Sequence, residues 1–489
     1  MYAKQSPLLI AGLVATALLG GCASVPDLPP SPALRTPATV EAQTSLAADA
    51  RADWPSADWW TAYGDPQLSA LIEEGLARWP DIDAASARFR RAAGLAQQAG
   101  ADLLPSLGVS GAATVDKQSY VNGFPKEFVP QGWLDRGFIA AQASLDLDMW
   151  GGRRAARDAA LSEVAAAELD RERARLALAS GIADTYAALA NLYAQRDVRT
   201  QDVTILAETS KLVGDRVTNG LDTRGDLRQA QASELASRAA LAALDEEIGL
   251  RRNQLAALVG AGPDRGLAIT RPAVPQVALQ LLPDTVTTEL VVRRADVAAA
   301  LARVEAARSR IDTAKTAFYP AIRLDALIGL QSLGLDQLFK SDAVYGSVGP
   351  AISLPIFEGG RLQGQYRVSR ADYDGAVASY NASVLTAYRE VADAMTSRRA
   401  LDERLARSRA ALAASEDAYR IARLRYEGGL ARYLDILPAQ QRMLEARSTL
   451  VDLETRAFTL DIALIRALGG GFTDTRYTPA ISSEDDRNG

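Results

Sequence analysis

The residues that could do chemistry are few. The chain of 489 residues has no His and one Cys. That removes Ser-His-Asp triads, imidazole acid–base chemistry, His metal sites, internal disulfides and Cys-cluster zinc sites. The informative charges are duplicated ones. Asp226 and Asp435 stand 209 residues apart, each opening a helical stretch. Each follows a glycine turn, Gly220-Leu221 or Gly429-Leu430, and an arginine, Arg216 or Arg425, at the same interval. Each could be an N-cap. Enzymatic acid–base work needs an acid pair in a shaped pocket, and nothing in the spacing suggests one. Lys+Arg 54 against Asp+Glu 60, a net charge of −6, argues against a nucleic-acid binder.

Cys22 has a different chemistry. Lys4 precedes a charge-free apolar run at residues 8–19, too short to span a membrane and suited to a signal peptide. The run ends in Leu19-Gly20-Gly21-Cys22. This resembles a bacterial lipobox, with cleavage before Cys22 and acylation of Cys22; the alternative is an ordinary secretory signal. Ala23, rather than Asp, fits routing to the outer membrane. Several acyl chains would hold the N-terminus to lipid, and the Pro-rich residues 26–37 read as an extended tether. No later window has 18 consecutive apolar residues, so any membrane crossing must use strands.

The elements that position these residues occur twice. Leu104-Pro105-Ser106-Leu107 recurs as Tyr319-Pro320-Ala321-Ile322 at an offset of 215. Gly151-Gly152-Arg153 recurs as Gly359-Gly360-Arg361 at 208, and Ala230-Gln231 as Ala439-Gln440 at 209. Common order and near-constant offset mark an internal repeat. The segment between the Pro and Gly-Gly-Arg markers is the one shortened in the second copy. It alternates with period two: Leu107, Val109, Gly111, Ala113 and Val115, then Ile322, Leu324, Ala326, Ile328 and Leu330. Alternation of this length predicts half-buried or membrane-spanning strands. By parity Asp146, Asp148, Arg323 and Asp325 face the lumen side. Trp133, Phe138, Trp150, Tyr319, Tyr345 and Phe357 near the strand ends suit membrane interfaces. Four strands cannot close a membrane barrel; a dimer supplies eight and a trimer 12. A soluble hairpin per repeat is the alternative.

Long helices are expected at about 154–218 and 361–426, each reaching roughly 100 Å. Shorter ones are expected at about 66–103, 227–259, 284–318 and 436–468. Columns stepping by seven, such as Ile436, Met443, Leu450, Ala457 and Leu464, give a face wide enough to touch neighbours on both sides. The organisation is then a signal at 1–21, a lipidated N-terminus and tether at 22–56, and repeat 1 at 57–262 with its hairpin at 106–149. A linker at 263–282, repeat 2 at 283–470 with its hairpin at 321–357, and a polar tail at 471–489 complete it.

The motifs now quoted resemble the outer-membrane efflux factor family, the TolC-like channels, and especially its lipoprotein branch. Ser144-Leu145-Asp146-Leu147-Asp148-Met149-Trp150-Gly151-Gly152-Arg153 and Pro355-Ile356-Phe357-Glu358-Gly359-Gly360-Arg361 fit its strand exits. Arg293-Arg294-Ala295-Asp296 resembles its Arg-Arg-Pro-Asp element, with Ala295 in place of Pro. Arg425-Tyr426-Glu427-Gly428-Gly429-Leu430 matches its helix-turn element. The resemblance covers roughly residues 57–470. It implies a mainly α protein with membrane β: a homotrimer whose 12-stranded outer-membrane β-barrel continues as a long periplasmic α-helical barrel. It implies docking onto a periplasmic adaptor and an inner-membrane pump, with passive export of drugs or other toxic compounds. No catalysis is expected, and no cofactor beyond lipid on Cys22. Asp226 and Asp435 match the family's inward-facing aperture acids. Tyr426, Arg216 and Arg425 are candidates for links holding the helices closed, joined by Arg432 in a register shifted by about one residue. Pro438 stands where some relatives have a second acid. Gly220, Leu221, Gly429 and Leu430 match the tip grooves for adaptor hairpins, and any helical hairpin would also need such glycines. Gly151-Gly152 and Gly359-Gly360 suit sharp strand-to-helix turns. Type I protein secretion through the same kind of channel and a non-channel periplasmic scaffold lipoprotein are the alternatives.

Overall fold

The computed structural model describes residues 24–47, 52–121, 123, 125–273, 282–283 and 285–474. The expected signal peptide and Cys22 lie outside the described residues, as do parts of the linker and tail. The long helices are α1 (Pro66–Arg78), α2 (Pro80–Ala101), α3 (Gly152–Thr218), α4 (Arg224–Leu258), α5 (Ala295–Thr316), α6 (Arg361–Glu427) and α7 (Tyr433–Ala467). The strands are β1 (Ser106–Asp116), β2 (Leu134–Asp146), β3 (Ala321–Leu333) and β4 (Val344–Ser353). None of the described helices is long and apolar enough to cross a membrane.

Several boundaries differ from the sequence expectation for local reasons. The helix expected over 66–103 is broken at Trp79, whose ψ of 128° is extended. Pro80 follows, and proline disfavours helical geometry in the residue before it while fitting the first position of the next helix. The helix expected from 284 begins at Ala295, after a short turn at Val286–Glu289. Helix α7 begins at Tyr433 rather than 436, which places Pro438 in its second turn. There it removes one i→i−4 hydrogen bond.

The residues form two compact units, and each takes segments from both sequence repeats. The first contains the described residues within 24–34, 88–167 and 300–380. Its four-stranded antiparallel sheet has the order β1-β2-β3-β4. Register places Leu107, Ala143, Ala326 and Val348 in one row, and Val109, Ala141, Ile328 and Gly346 in the next. Directly paired residues share a face, so this face is apolar, and Leu107, Ile328 and Val348 are exposed on it. The opposite face carries the row Ser106, Ser144, Asp325 and Gly349. There Asp325 accepts from Ser144 Oγ at 2.8 Å and pairs with Arg323 at 2.9 Å. Asp146 pairs with Arg153 at 2.9 Å. Asp148 accepts from the N–H groups of Arg153 and Arg154 at the start of α3, at 2.8 and 3.1 Å. The intervening Gly151 has φ +77°. A Cβ on Gly152 would meet Thr316 Oγ1 at 2.2 Å, so the start of α3 approaches the end of α5 too closely for a side chain. Below the sheet, Ile311, Ala314, Phe318, Leu362 and Tyr366 form a core joined by Leu28. Residues of the stretch expected as an extended tether make contacts here: Ser31 Oγ donates to Asp374, and Arg370 donates to Pro29 O at 3.0 Å.

The second unit is helical. Its main core gathers Trp59, Tyr63, Leu68, Leu71, Ile182, Tyr186, Leu255, Phe458 and Ile462. Two buried tyrosines join it: Tyr63 donates to Asp461 at 2.8 Å, and Tyr186 to Asp65 at 2.6 Å. Asp65 also caps α1 through the N–H groups of Gln67 and Leu68. The seven-residue columns of α7 are buried or half-buried along their whole length. On α4, Glu234 interrupts the matching column and pairs with Arg238 at 2.9 Å. The Arg-Arg-Ala-Asp element becomes a buried clamp at the start of α5. Arg294 bonds Asp296 through two nitrogens, at 3.0 and 2.7 Å, and also bonds Glu390 at 2.7 Å and Ala467 O at 3.0 Å.

Candidate functional site

The duplicated turns lie in the second unit, where α3 meets α4 and α6 meets α7. Both helix ends close in the same way. Leu221 N–H donates to Arg216 O at 2.9 Å and Gly220 N–H to Val217 O at 3.0 Å. Leu430 and Gly429 repeat this with Arg425 O and Tyr426 O at 2.7 and 3.0 Å. These are Schellman turns, which require a left-handed residue, and Gly220 and Gly429 both have φ +73°. An apolar contact between the residue after the glycine and the third-last helical residue often accompanies the motif. Here the third-last positions are Arg216 and Arg425, and the leucines stay outward: Leu221 is 63% and Leu430 75% exposed.

The two acids open their helices, although not as N-caps. Asp226 is the third residue of α4. It accepts from the N–H of Thr223 at 3.1 Å, and Thr223 Oγ1 accepts from Asp226 N–H at 3.2 Å. That is a reciprocal capping box. Asp435 is the third residue of α7 and accepts from Arg432 N–H at 2.8 Å. An arginine side chain has no acceptor, so the second copy has only half of the box.

The link between helices is built once, from residues of both copies, and is not duplicated. Arg216 Nε donates to Asp222 Oδ2 at 3.0 Å and Nη1 to Tyr426 O at 3.1 Å. Its guanidinium lies 4.4 Å from the centre of the Tyr426 ring, a cation–π contact. The Tyr426 hydroxyl donates to the same Asp222 oxygen. Tyr426 is fully buried, and the Asp222 side chain is 6% exposed. Burial pushes the Tyr426 phenol up first, and the Asp222 carboxylate adds to it; the group is a proton donor at every physiological pH. Below this latch lies an apolar base of Val213, Tyr419, Tyr433, Ile436 and Met443. The structure therefore brings Arg216 and Tyr426 together. It leaves Arg425 and Arg432 exposed, with side chains that make no hydrogen bond or ion pair among the described residues. Asp222, the acceptor common to both partners, was missed by the sequence reading. By the 209-residue offset its counterpart is Ala431, and that of Tyr426 is Val217. A search for duplicated chemistry passes over residues that are not duplicated.

Among the described residues, no group of three or more His, Cys, Asp or Glu side chains could hold a metal ion. The arrangement clips two helix ends and a turn.

The chain matches the family model described as outer membrane efflux protein over residues 71–261 and 286–470. It is 32% identical to the multidrug resistance outer membrane protein MdtP of Escherichia coli strain K12, over 95% of this chain and 96% of that protein. It is 29% identical to the pyoverdine export outer membrane protein OpmQ of Pseudomonas putida, over 91% of this chain and 94% of that protein. Among solved structures, the outer membrane protein VceC of Vibrio cholerae shares 43% identity and a TM-score of 0.80, over 86% of this chain and all of that one. The outer-membrane channel OprN shares 26% identity and a TM-score of 0.82, over 92% of this chain and 99% of that one.

Proposed function

The chain belongs to the outer membrane efflux protein family, and on that premise we propose that it is the outer-membrane channel of a tripartite efflux system. It conducts small toxic organic molecules passively from a pump–adaptor complex to the exterior. The observation that carries this reading is the sheet. Each protomer offers an apolar face for lipid, a polar face for a lumen, and two edge strands, β1 and β4, whose outer sides have no partner in the sheet. An unpaired edge in hydrocarbon costs several kcal/mol per polar group, so the edges need neighbouring copies. Three copies supply 12 strands, within the size range of membrane barrels. The strands of 10 to 13 residues are long enough to span at a tilt. Exposed Leu235 and Leu250 on α4, and Ile421 and Leu424 on α6, supply apolar faces for contacts between protomers. The pump provides the energy, so the chain needs no cofactor. Acylation of Cys22 and removal of residues 1–21 complete the reading, with the mature N-terminus anchored in the outer membrane. Leu221 and Leu430 are the contacts offered to the adaptor.

The test is direct. The full-length protein, purified in detergent from outer membranes, should run as a trimer, conduct ions in a planar bilayer, and carry a lipid mass at Cys22. A strain lacking the gene should become sensitive to part of a broad panel of toxicants. Recovery of a soluble, non-conducting monomer would refute the channel and favour a scaffold.

A further inference from the structure

Helices α3 and α7 are held along their length by a ladder of polar contacts. Asn191 donates to Asp452 at 3.0 Å, Gln195 to Asp452 at 2.7 Å, and Ser448 to Gln195 at 2.9 Å. Further along, Gln440 donates to Thr209 at 3.1 Å. Asp202 sits between these rungs. It is 0% exposed, and neither carboxylate oxygen accepts a hydrogen bond. A buried carboxylate in that state is expensive unless it is neutral or closely paired. Two arginines face it. Arg199, on α3 itself, lies 3.4 Å away. Arg447, on α7, lies 3.9 Å away, with its other nitrogen 2.9 Å from Glu416 on α6. Burial pushes the Asp202 carboxyl up to about 6, with Arg199 and Arg447 opposing incompletely.

We propose that Arg447 is a two-position switch, set by the proton on Asp202, that ties α7 either to α6 through Glu416 or to α3 through Asp202. The structure shows Arg447 held more tightly by Glu416, at 2.9 Å, and at the outer edge of ion-pair distance from Asp202, at 3.9 Å. Loss of the proton leaves a buried anion with no hydrogen bond, and a rotation of the Arg447 side chain brings it into contact. The exchange moves one ionic tie from the α6–α7 seam to the α3–α7 seam. Both α3 and α6 end in the latch, one carrying Arg216 and the other Tyr426, so the switch biases that latch. The effect on conduction rests on the channel reading; the exchange itself does not.

Hydrogen exchange on the intact oligomer separates the two. Protection factors for residues 440–452 of the wild type should change on the order of tenfold between pH 5 and 7, the linkage of about one proton. Asp202→Asn should hold the low-pH pattern throughout. Glu416→Gln, at a partly exposed site, should release Arg447 and give the high-pH pattern throughout. Wild-type protection that does not vary with pH would overturn the switch, and so would an Asp202→Asn profile like that of the wild type. If Asp202→Asn fails to assemble, the wild-type and Glu416→Gln profiles decide. In planar bilayers, open probability should change with a midpoint near pH 6 in the wild type and stay flat in Asp202→Asn. Absence of conductance in every protein would instead defeat the channel reading, whatever the exchange data show.

Discussion

Tyr426→Phe tests the latch with the least disturbance. The ring, its burial and its contact with Arg216 remain; only the hydroxyl that donates to Asp222 is lost. A hydrogen bond to a charged acceptor contributes about 1.5–3 kcal/mol. Asp222 keeps Arg216 as a partner at 3.0 Å, so the lower half of that range is expected. About 1.5 kcal/mol is roughly a tenfold shift in a closed–open equilibrium. Arg216→Ala goes further. It removes the ion pair, the bond to Tyr426 O and the cation–π contact, and leaves Asp222 buried with the phenol alone. Breaking one side of a buried pair costs about 3–5 kcal/mol, so the latch should be effectively undone. The assay is single-channel recording of purified trimers in planar bilayers, with the thermal midpoint measured on the same samples. Open probability should rise about tenfold for Tyr426→Phe and to near saturation for Arg216→Ala. The double variant should show strong non-additivity, because both residues act through one carboxylate. The reasoning fails if both variants stay within twofold of wild-type open probability while the thermal midpoint falls. The cluster would then be a structural clip with no bearing on opening.

Arg294→Ala should destabilise the fold by about 3–5 kcal/mol, read as a loss of thermal midpoint, because Asp296 and Glu390 lose a shared, nearly buried partner. Burial pushes the Asp296 carboxyl up, but Arg294 outweighs it and leaves it below the usual range. The stabilisation it brings is therefore present above about pH 4 and lost as pH falls below that; Asp296→Asn should flatten this acid limb in melts at stepped pH. Val348→Lys, on the apolar face of the sheet, should cost about 2–4 kcal/mol if that face meets the middle of a bilayer. Reconstitution yield from liposomes reads this, and an unchanged yield would argue that lipid lies elsewhere. Leu221→Ser with Leu430→Ser should leave the thermal midpoint within a degree or two, since both side chains are exposed, while weakening capture of the adaptor. A large drop in midpoint would show that these leucines serve the fold.

Periodicity made the helices and strands legible in the sequence. The seven-residue columns of α7 and the alternation in β1 and β3 reflect burial on one face, which the local spacing of apolar residues reports. The break at Trp79 was harder to see, because the apolar pattern runs on past Pro80. The start of α5 was obscured for a different reason: Arg294 is held by partners 96 and 173 residues away, and no local signal reports them. Duplication found Asp226 and Asp435 and misjudged their place in the helix by three positions. It also suggested Arg425 as an equal of Arg216. The two arginines differ because only the first copy has an acid, Asp222, after its glycine turn.

The sheet has a consequence for the order in which the protein is made. Its central pairing joins β2 to β3, with Ser144 opposite Asp325, 181 residues further along the chain. Hairpins of neighbouring helices can form early from local contacts, whereas this ladder must wait for the whole first repeat and the start of the second to emerge. Non-local pairing of this kind is slow, and its unpaired strands invite aggregation meanwhile. A newly exported protomer therefore passes through a stage with folded helices and uncommitted strands. That stage is where holdase chaperones would have most to protect.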